Sequence, residues 1–504
     1  MPKSTSRPPL RLIFFTSESC KFCPMIENIV KKFVGSNIGT NVSLTTVDVD
    51  LSPETALQFN IKNLPTVIMG TGGSSNYEKI VEGYMEEEDI RHRLTNRIFH
   101  SILAGETASA KRKENMIWLS KNVIDSIQKK RLIRQNIGDY VHLQSLQINN
   151  MSILALDPIA PTLLYESGRV YGMYGPGQLL LFNLNKNIGN QIRIVPKFNE
   201  LMKAISNLFN YTFFPTNVAE SAEIIENNDL NAIIRIYGSA YAVGAPKIGE
   251  SLCPSLAGEL AGLIQSIMAR FVKVEEISCW GTGTKYCEFK IEVLDEEVSI
   301  HSKIPSDTGG KKDVQKRRNN FINTLAEMAE NLQDSLMFKK QLRNFGDYVH
   351  IAVLQQAFTA LKIIDPFCGM LLHSAGVTFG LTADKRVINN SLHHKKINIP
   401  ISLEEAVEIL IEELQHPTTL LTRQHSFVSF EKSDSDLDDI VYYINIHELA
   451  YASGATNVNE TFCDFMAGFI NGRLQLLVQD ETIVKEVECF GTGNSVCKFK
   501  ITVD

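Results

Sequence analysis

The stretch Cys279-Trp-Gly-Thr-Gly-Thr-Lys-Tyr-Cys287 recurs 210 positions later as Cys489-Phe-Gly-Thr-Gly-Asn-Ser-Val-Cys497. Each stretch is preceded, at matching intervals, by a cysteine and a glutamate. Three thiolates and one carboxylate form a tetrahedral zinc-ligand set, and the glycines allow the tight turn that brings two sulfurs to one ion. The sequence therefore predicts two zinc sites, one made of Cys253, Glu276, Cys279 and Cys287, and one made of Cys463, Glu486, Cys489 and Cys497.

Two other interpretations of these cysteines are considered. They can be reduced core residues preserved by duplication, because a free cysteine behaves as a small hydrophobe. A disulfide within each hairpin is the other alternative, but it leaves Cys253 and Cys463 unpaired and requires an oxidising compartment. The repeated spacing favours metal. Because closed four-ligand sites contribute folding energy, both zinc ions are predicted to be structural.

Composition limits the class of protein. The chain has 504 residues, 44% of them hydrophobic, a formal net charge of −7 and nine cysteines. The length predicts about three domains, and the negative charge without a dense basic stretch argues against direct nucleic-acid binding. No apolar run reaches the ~18 to 20 residues of a membrane span, and a signal peptide is not evident. We therefore expect a cytoplasmic protein without a membrane partner, whose cysteines serve metal and redox chemistry.

The N-terminal part of the chain carries a different pattern. Leu10–Thr16 predicts a buried strand, after which Cys20-Lys-Phe-Cys23-Pro opens an amphipathic helix. The partial positive charge of a helix N-terminus, together with Lys21, favours the thiolate form of Cys20, which we predict to be the attacking sulfur. Cys23, one turn inside the helix, is predicted to resolve a mixed disulfide.

These residues resemble the thioredoxin and glutaredoxin families. A second predicted strand, Ser43–Asp50, is followed by Asn63-Leu-Pro65-Thr-Val-Ile-Met, which matches the cis-proline before a later strand in those families. The resemblance implies that Pro65 faces the cysteine pair and helps bind extended peptide or thiol substrates. The Lys-Phe pair between the cysteines departs from the Gly-Pro of thioredoxin, which leaves the redox potential open.

The duplication extends over whole domains. The phrase Gly138-Asp-Tyr-Val-His142 recurs as Gly346-Asp-Tyr-Val-His350, and the helix after the first cysteine of each set carries two glycines four residues apart. That spacing puts both glycines on one face for close packing. A predicted helix precedes each copy, at residues 110–135 and 311–343, and the second buries Phe321, Leu325 and Met328 on one face.

Both copies resemble the 4-vinyl reductase domain, an α+β module of small-molecule sensors. Its zinc site has this cysteine, glutamate, cysteine, cysteine order, and every ligand position is filled in both copies. The resemblance implies a mostly apolar or aromatic small-molecule ligand beside the zinc-stiffened segment. It also implies a domain dimer, which the two copies can form within one chain as an intramolecular pseudo-dimer, with a homodimer of whole chains as the alternative.

The ligand itself is not predicted. The histidine and tryptophan that orient the hydroxyl in phenol sensors have no matching motif here, and His142 and His350 are interpreted as structural. Tyr237 of the first copy corresponds to His447 of the second, which indicates that two pockets would differ. Cys368 has no counterpart in the first copy and is interpreted as a buried thiol.

Together these observations predict a multidomain α/β and α+β chain. The predicted domains are a thioredoxin-like domain at 10–108, a helical connector at 109–135, a first 4-vinyl reductase-like domain at 136–295, a linker and helical connector at 296–343, and a second 4-vinyl reductase-like domain at 344–504. The predicted function is a cytoplasmic thiol-disulfide oxidoreductase with Cys20, Cys23 and Pro65 as its site, acting on a protein or small thiol or disulfide under ligand control. The alternative is a sensor or scaffold without turnover, whose thioredoxin-like domain docks a partner or reports redox state.

Overall fold

The structure, a computed structural model, places the chain in two compact units, residues 1–107 and 108–504. It describes residues 10–35, 42–71, 77–87, 90, 93–94, 132–156, 160–174, 197–210, 216–294, 311–330, 346–364, 368–382, 400–416, 423–434, 440–455, 460–478 and 481–503. None of the helices within these ranges combines the length and the apolar composition that a membrane crossing requires.

The first unit is built on a four-stranded sheet in the order β2-β1-β3-β4. Its elements are β1 (Leu10–Thr16), α1 (Cys23–Gly35), β2 (Val42–Asp48), α2 (Pro53–Gln58), β3 (Thr66–Thr71) and β4 (Tyr77–Glu82). β1 pairs parallel with β2 and antiparallel with β3. The apolar run of β1 is buried, as the sequence predicts, with Leu12, Phe14 and Phe15 inaccessible to solvent. This mixed sheet with helices confirms the predicted α/β class of the N-terminal domain.

The second unit contains two copies of one α+β arrangement. The first copy consists of β5 (Tyr140–His142), α3 (Leu143–Leu156), α4 (Ala160–Tyr174), α5 (Phe198–Asn210), β6 (Ser221–Asn227), β7 (Asn231–Tyr237), α6 (Pro254–Met268), β8 (Phe271–Ser278) and β9 (Cys287–Leu294). Its four-stranded antiparallel sheet has the order β6-β7-β9-β8. Alternating apolar residues of β7 and β9 point to the interior, including Ile234, Ile236 and Phe289.

The second copy repeats these elements after the helix α7 (Lys311–Glu330). They are β10 (Tyr348–His350), α8 (Ile351–Ala357), α9 (Thr359–Ile364), α10 (Cys368–Thr382), α11 (Leu403–Gln415), β11 (Val428–Asp434), β12 (Ile440–Ile446), α12 (Asp464–Leu477), β13 (Thr482–Glu488) and β14 (Cys497–Val503). The sheet order β11-β12-β14-β13 matches that of the first copy. The continuous helix α3 is here divided into α8 and α9, with Phe358 at the division.

In each copy, two helices cross at glycines. A Cβ atom at Gly168 of α4 would lie 2.0 Å from the carbonyl oxygen of Ser255 in α6, and one at Gly376 of α10 would lie 2.0 Å from that of Phe465 in α12. Backbone atoms within 2.5 Å crowd the same position at the other glycines of these crossings, Gly172, Gly258, Gly262, Gly380, Gly468 and Gly472. Only hydrogen fits there, which confirms the close packing expected from the four-residue spacing.

The phrase Gly-Asp-Tyr-Val-His joins the two copies. β5 and β10 pair antiparallel with Val141 opposite Val349. The Tyr140 ring meets the His350 ring edge-on with centroids 5.4 Å apart, and the equivalent pair from the other direction, His142 and Tyr348, is separated by 5.3 Å. The same residues meet in both directions, as in the isologous interface of a two-fold dimer. We call residues 139–142 and 347–350 the central clasp.

The clasp histidines have a structural role. Nδ1 of His142 accepts a hydrogen bond from the backbone N–H of Gln144 at 3.3 Å, and Nδ1 of His350 accepts one from Ala352 at 3.1 Å. Burial lowers the pKa of each histidine to about 4, so both rings are neutral at pH 7. The structure therefore supports their interpretation as structural residues.

The predicted connectors are described only in part. α7 buries Phe321, Leu325 and Met328, as its periodicity predicts. Residues 331–343 of that connector, the linker at 302–310 and residues 110–131 of the first connector lie outside the described residues. Residues 132–135 form a bend and turn rather than the predicted helix end, because the backbone N–H groups of Ile133 and Arg134 bond to the side chain of Asp139 instead.

Candidate metal centres and dithiol site

Four residues converge in the first copy. Cys253 caps the N-terminus of α6, Glu276 lies in β8, Cys279 precedes a 3-10 turn, and Cys287 begins β9. One ligand atom from each residue lies within 4.8 Å of those of the other three. The Cys253 and Cys287 sulfurs are 3.3 Å apart, and the Cys287 and Cys279 sulfurs 3.8 Å. The structure thus brings together all four residues that the sequence selected.

Strand alternation explains why the glutamate reaches the interior. Val272 and Val274 are buried, and Glu276 continues their face of β8 toward the core. The ladder then shifts register between Glu276 and Ser278, which is a β-bulge that leaves Ile277 exposed. The bulge ends the regular strand, so the chain can turn back over the cluster.

The turn between the two cysteines requires its glycines. Gly283 has a φ of +104°, in the left-handed region, and a Cβ atom at Gly281 would lie 2.2 Å from the carbonyl oxygen of Glu250. Thr282 closes the turn, because its hydroxyl accepts from the N–H of Cys279 at 3.0 Å and donates to the carbonyl oxygen of the same residue at 2.7 Å. These contacts hold the sulfur of Cys279 toward the cluster.

The carboxylate of Glu276 is only half satisfied by protein atoms. Its Oε2 accepts a hydrogen bond from the N–H of Cys253 at 3.1 Å. The Oε1 atom is buried and has no hydrogen-bond partner among the described residues. A buried carboxylate oxygen without a partner is costly, and it fits a ligand position for a cation. Glu486 of the second copy repeats both features, with its Oε2 accepting from Cys463 at 2.9 Å.

The charges of the cluster also favour a cation. Burial raises the pKa of Glu276 and of Cys253 well above their usual ranges, whereas hydrogen bonds from the neighbouring thiols lower the pKa of Cys279. These acids cannot all ionise together in a buried site unless a positive charge is present. Three thiolates and one carboxylate suit a divalent ion that accepts sulfur ligands in tetrahedral geometry, so each cluster can hold a metal ion.

The second cluster has the same framework. The Cys463 and Cys497 sulfurs are 3.3 Å apart, and the Cys497 and Cys489 sulfurs 4.0 Å. Gly493 has a φ of +93°, and Thr492 makes the same two hydrogen bonds to Cys489 as its counterpart in the first copy. The duplicated sequence therefore folds into two clusters of the same design.

The surroundings of the two clusters differ in ways that the sequence search missed. In the first copy, the hydroxyl of Ser239 lies 3.4 Å from the Cys253 sulfur, and Leu449 occupies the matching position of the second copy. In the second copy, the buried Lys362 forms an ion pair with Asp464, next to Cys463. The matching residues in the first copy are Leu154 and Pro254. Aligning the two copies position by position would have revealed these pairs.

The two cysteines of the first unit are joined by a disulfide. The Cα atoms of Cys20 and Cys23 are 5.4 Å apart, with Cys23 buried and Cys20 half-buried. α1 begins at Cys23, so this residue starts the helix and does not lie one turn inside it, as the sequence analysis expected. Pro24 explains the difference, since proline lacks the N–H that a helix interior needs and is favoured in the first turn.

Pro65 lies at the same edge of the sheet as the cysteines. The pairing of Phe15 with Thr66 places Pro65 opposite the end of β1, from which the chain continues to Cys20. Pro65 is buried, its peptide bond with Leu64 is cis, and its carbonyl oxygen accepts from the N–H of Gly83 at 2.8 Å. The sequence-predicted dithiol and proline are thus at one end of β1 and β3.

Two exposed aromatic residues near the dithiol were not singled out as site residues from the sequence. Phe22, between the cysteines, and Tyr84, after Gly83, are 42% and 49% exposed. Their ring centroids are 4.7 Å apart, which leaves an apolar surface next to Cys20. Their spacing along the chain gave no periodic signal, because only the fold brings residues 22 and 84 together.

The sequence analysis selected the wrong pair of residues as lining different pockets. Tyr237 and His447 lie on the outer face of their sheets, opposite the buried Ile236 and Ile446. The Tyr237 hydroxyl donates to Glu223 at 3.0 Å, and the His447 ring lies 5.7 Å from that of Phe427. This difference between the copies therefore concerns their surfaces.

Comparison with known proteins agrees with this organisation. The model of the 4-vinyl reductase domain matches residues 232–293 and 442–503, and the thioredoxin model matches residues 5–96. The uncharacterized protein MJ1642 of Methanocaldococcus jannaschii is 32% identical over 127 residues, which are 24% of this chain and 77% of that relative. The uncharacterized protein MJ0150 of the same organism is 25% identical over 169 residues, 32% of this chain and 90% of that relative. A thioredoxin of Alicyclobacillus acidocaldarius is 29% identical over 85 residues, 17% of this chain and 78% of that protein.

Proposed function

Because the chain belongs to the 4-vinyl reductase domain family and carries a thioredoxin domain ahead of its two copies of that domain, we propose that it exchanges disulfides through Cys20 and Cys23 under the control of a ligand bound to the tandem domains. One observation carries the proposal: a dithiol pair at the start of a helix, with one sulfur buried, one accessible, and Pro65 at the same sheet edge. The substrate is a protein or a small molecule with a disulfide or thiol.

The exchange proceeds in two balanced steps. In the reduced protein, the Cys20 thiolate attacks one sulfur of a substrate disulfide, forms a mixed disulfide and releases the other substrate sulfur as a thiolate. The Cys23 thiolate then attacks the Cys20 sulfur, releases the second substrate thiolate and closes the disulfide seen here. An external thiol donor returns two electrons to restore the dithiol. Burial of Cys23 keeps it from attacking substrate directly, since only Cys20 is accessible.

The metal clusters serve stability in this proposal. Each binds one zinc ion through three sulfurs and one carboxylate oxygen, and with four protein ligands there is no open position for a reacting water. The buried Oε1 atoms of Glu276 and Glu486, which have no protein partner among the described residues, support this assignment. Reduced thiolates bound to zinc are stable in a reducing compartment, so we place the protein in the cytoplasm.

The test uses the full chain with a thiol donor and a peptide disulfide. Cys20→Ser abolishes turnover, because no nucleophilic sulfur remains exposed at the site. Cys23→Ser stops after the first step and accumulates a mixed disulfide that mass spectrometry detects. Cys368→Ser, at a buried cysteine outside both clusters, is the matched control and keeps wild-type activity. Unchanged activity in Cys20→Ser would overturn the oxidoreductase function and favour a thioredoxin domain that docks a partner or reports redox state.

A further inference from the structure

The two copies have different interiors next to their metal clusters. In the second copy, the rings of Phe358, Tyr451 and Phe465 pack together, with centroids 6.0 to 6.3 Å apart. Phe379 extends this group, since its ring stacks 6.4 Å from that of Phe465 and 5.5 Å from that of Phe469. We call these five residues the aromatic plug.

The first copy replaces most of the plug with smaller or polar side chains. The matching positions, in the same order, hold Asn150, Tyr241, Ser255, Tyr171 and Glu259. The alignment is secure here, because Gln147 and Gln355 donate to matching carbonyl oxygens in the two copies. Only the tyrosine of the loop after β7 and β12 is shared. Two phenylalanine rings of the second copy thus correspond to an amide and a hydroxymethyl group.

Buried polar atoms in this region of the first copy lack partners. Asn150 and Ser255 are both inaccessible to solvent. The amide Nδ2 of Asn150 donates to the carbonyl oxygen of Leu252 at 2.8 Å, but its Oδ1 and the Oγ of Ser255 have no hydrogen-bond partner among the described residues. Leaving a buried polar atom unpaired costs about 1 to 3 kcal/mol, so two such atoms side by side with removed rings indicate a binding site.

The other polar groups set the ligand chemistry. Burial, and secondarily the charge of Glu259, raises the pKa of Tyr171 and of Tyr241, so both phenols stay protonated. Oδ1 of Asn150 accepts hydrogen bonds only, because Nδ2 of the same amide is already used. The half-buried carboxylate of Glu259 also accepts. A fitting ligand therefore donates hydrogen bonds and fills the space of an aromatic ring.

We infer that the first copy alone binds the small molecule, through Asn150 Oδ1 and Ser255 Oγ, and that the ligand is a ring-sized apolar molecule bearing a hydroxyl or amine donor. The aromatic plug closes the equivalent position of the second copy, which serves as a fixed partner across the central clasp. This inference rests on the proposed binding of a ligand by the tandem domains.

Benzyl alcohol is the probe, and toluene is the matched probe without a donor. Titration calorimetry of the full chain gives a stoichiometry of one benzyl alcohol per chain, with toluene bound at least about tenfold more weakly because the acceptors stay unpaired. Two molecules per chain would overturn the assignment to one copy. An absence of binding up to the solubility limit, or equal affinity for both probes, would overturn the proposed donor-bearing ligand.

Two sets of variants locate the site. Asn150→Phe with Ser255→Phe copies the plug into the first copy and removes binding, while metal content and the unfolding temperature remain at wild-type values or above. Asn150→Leu and Ser255→Ala keep the size of the site, and each weakens benzyl alcohol about three- to tenfold without changing the binding of toluene. These milder variants test the contacts even if the double variant fails to fold.

The outcomes separate this inference from the proposed function. Retained binding in Asn150→Phe with Ser255→Phe would place the ligand elsewhere, so the inference would fall while ligand control stands. Disulfide exchange measured in parallel reports on Cys20 alone. Its absence, with one benzyl alcohol bound per chain, would overturn the oxidoreductase and leave the inference in place.

Discussion

The two copies hold the same four-residue cluster, yet their interiors next to it are lined by different side chains. Sulfur distances, bulge, turn glycines and unpaired carboxylate oxygen repeat from Cys253 and Glu276 to Cys463 and Glu486. Phe358 and Phe465 of the second copy replace Asn150 and Ser255 of the first. Duplication has therefore kept what holds the domain together and changed what its interior can accept.

The helix crossings belong to the retained part. Each crossing tolerates only hydrogen at its glycines, so neither copy can change them without separating two helices. The lining carries no such constraint, because a ring, an amide or a hydroxyl can each fit on a helix face. Function can therefore diverge between the copies while the backbone stays the same.

The largest expected effect tests whether the clusters are equivalent. Cys279→Ser and Cys489→Ser each reduce the metal content from two ions to one per chain, measured by atomic emission. Each also destabilises its copy by about 5 kcal/mol or more, because the binding free energy of a structural metal is folding free energy. Cys368→Ser keeps both ions. Retention of two ions by either cluster variant would break the comparison at its base.

The next effect concerns the clasp that both copies share. The folded pKa of about 4 for His142 and His350 lies below the unfolded value of about 6.5, so the unfolded state binds more protons between these two values. Their contribution to stability is complete above pH 6.5 and is lost as the pH falls to 4, by about 3 kcal/mol for each histidine.

Denaturant titrations across that range measure the loss. The double variant His142→Gln with His350→Gln shows a smaller decrease between pH 6.5 and 4 than the wild-type chain, because glutamine does not titrate. Equal acid sensitivity in the two proteins would show that the clasp histidines are already protonated, which would contradict their burial.

The helix crossings predict equal costs in the two copies. Gly168→Ala and Gly376→Ala each place a Cβ atom 2.0 Å from a backbone oxygen, so each lowers the free energy of unfolding by about 3 kcal/mol. Urea unfolding followed by circular dichroism measures both. A cost in one copy only would mean that the other crossing relaxes, and that the two frameworks are less alike than their backbones.

The smallest effect sharpens the difference between the copies. Lys362→Met leaves Asp464 without its partner and costs about 2 kcal/mol, a value reduced from that of a fully buried pair because Asp464 is partly exposed. Leu154→Met at the matching position costs less than about 1.5 kcal/mol, since the exchange conserves volume. Equal costs would show that the ion pair adds nothing to the second copy.

Much of the fold could be predicted because its signals are local or repeated. The apolar run of β1, the glycine spacing and the ligand spacing each reflect strand, helix or turn geometry, and the second occurrence of Cys253, Glu276, Cys279 and Cys287 removes the ambiguity of the first. The start of α1 was misplaced by one turn, because a dithiol pattern does not show where helical hydrogen bonding begins.

The interior lining could not be predicted in this way. Tyr237 and His447 differ in sequence as clearly as Asn150 and Phe358 do, and only the structure shows which pair faces the interior. Similarly, Phe22 and Tyr84 meet because β1, β3 and β4 bring their loops to one edge. Neither signal has a period along the chain.

The sequence by itself determined the order of domains, the two metal-ligand sets and the dithiol, because ligand chemistry and turn geometry restrict which residue types can stand at those spacings. The tertiary structure decided that Gly-Asp-Tyr-Val-His joins the two copies, and which polar atoms are buried without partners. The physical reason is that burial and pairing depend on groups far apart in the chain, whose approach is set by packing rather than by local preference.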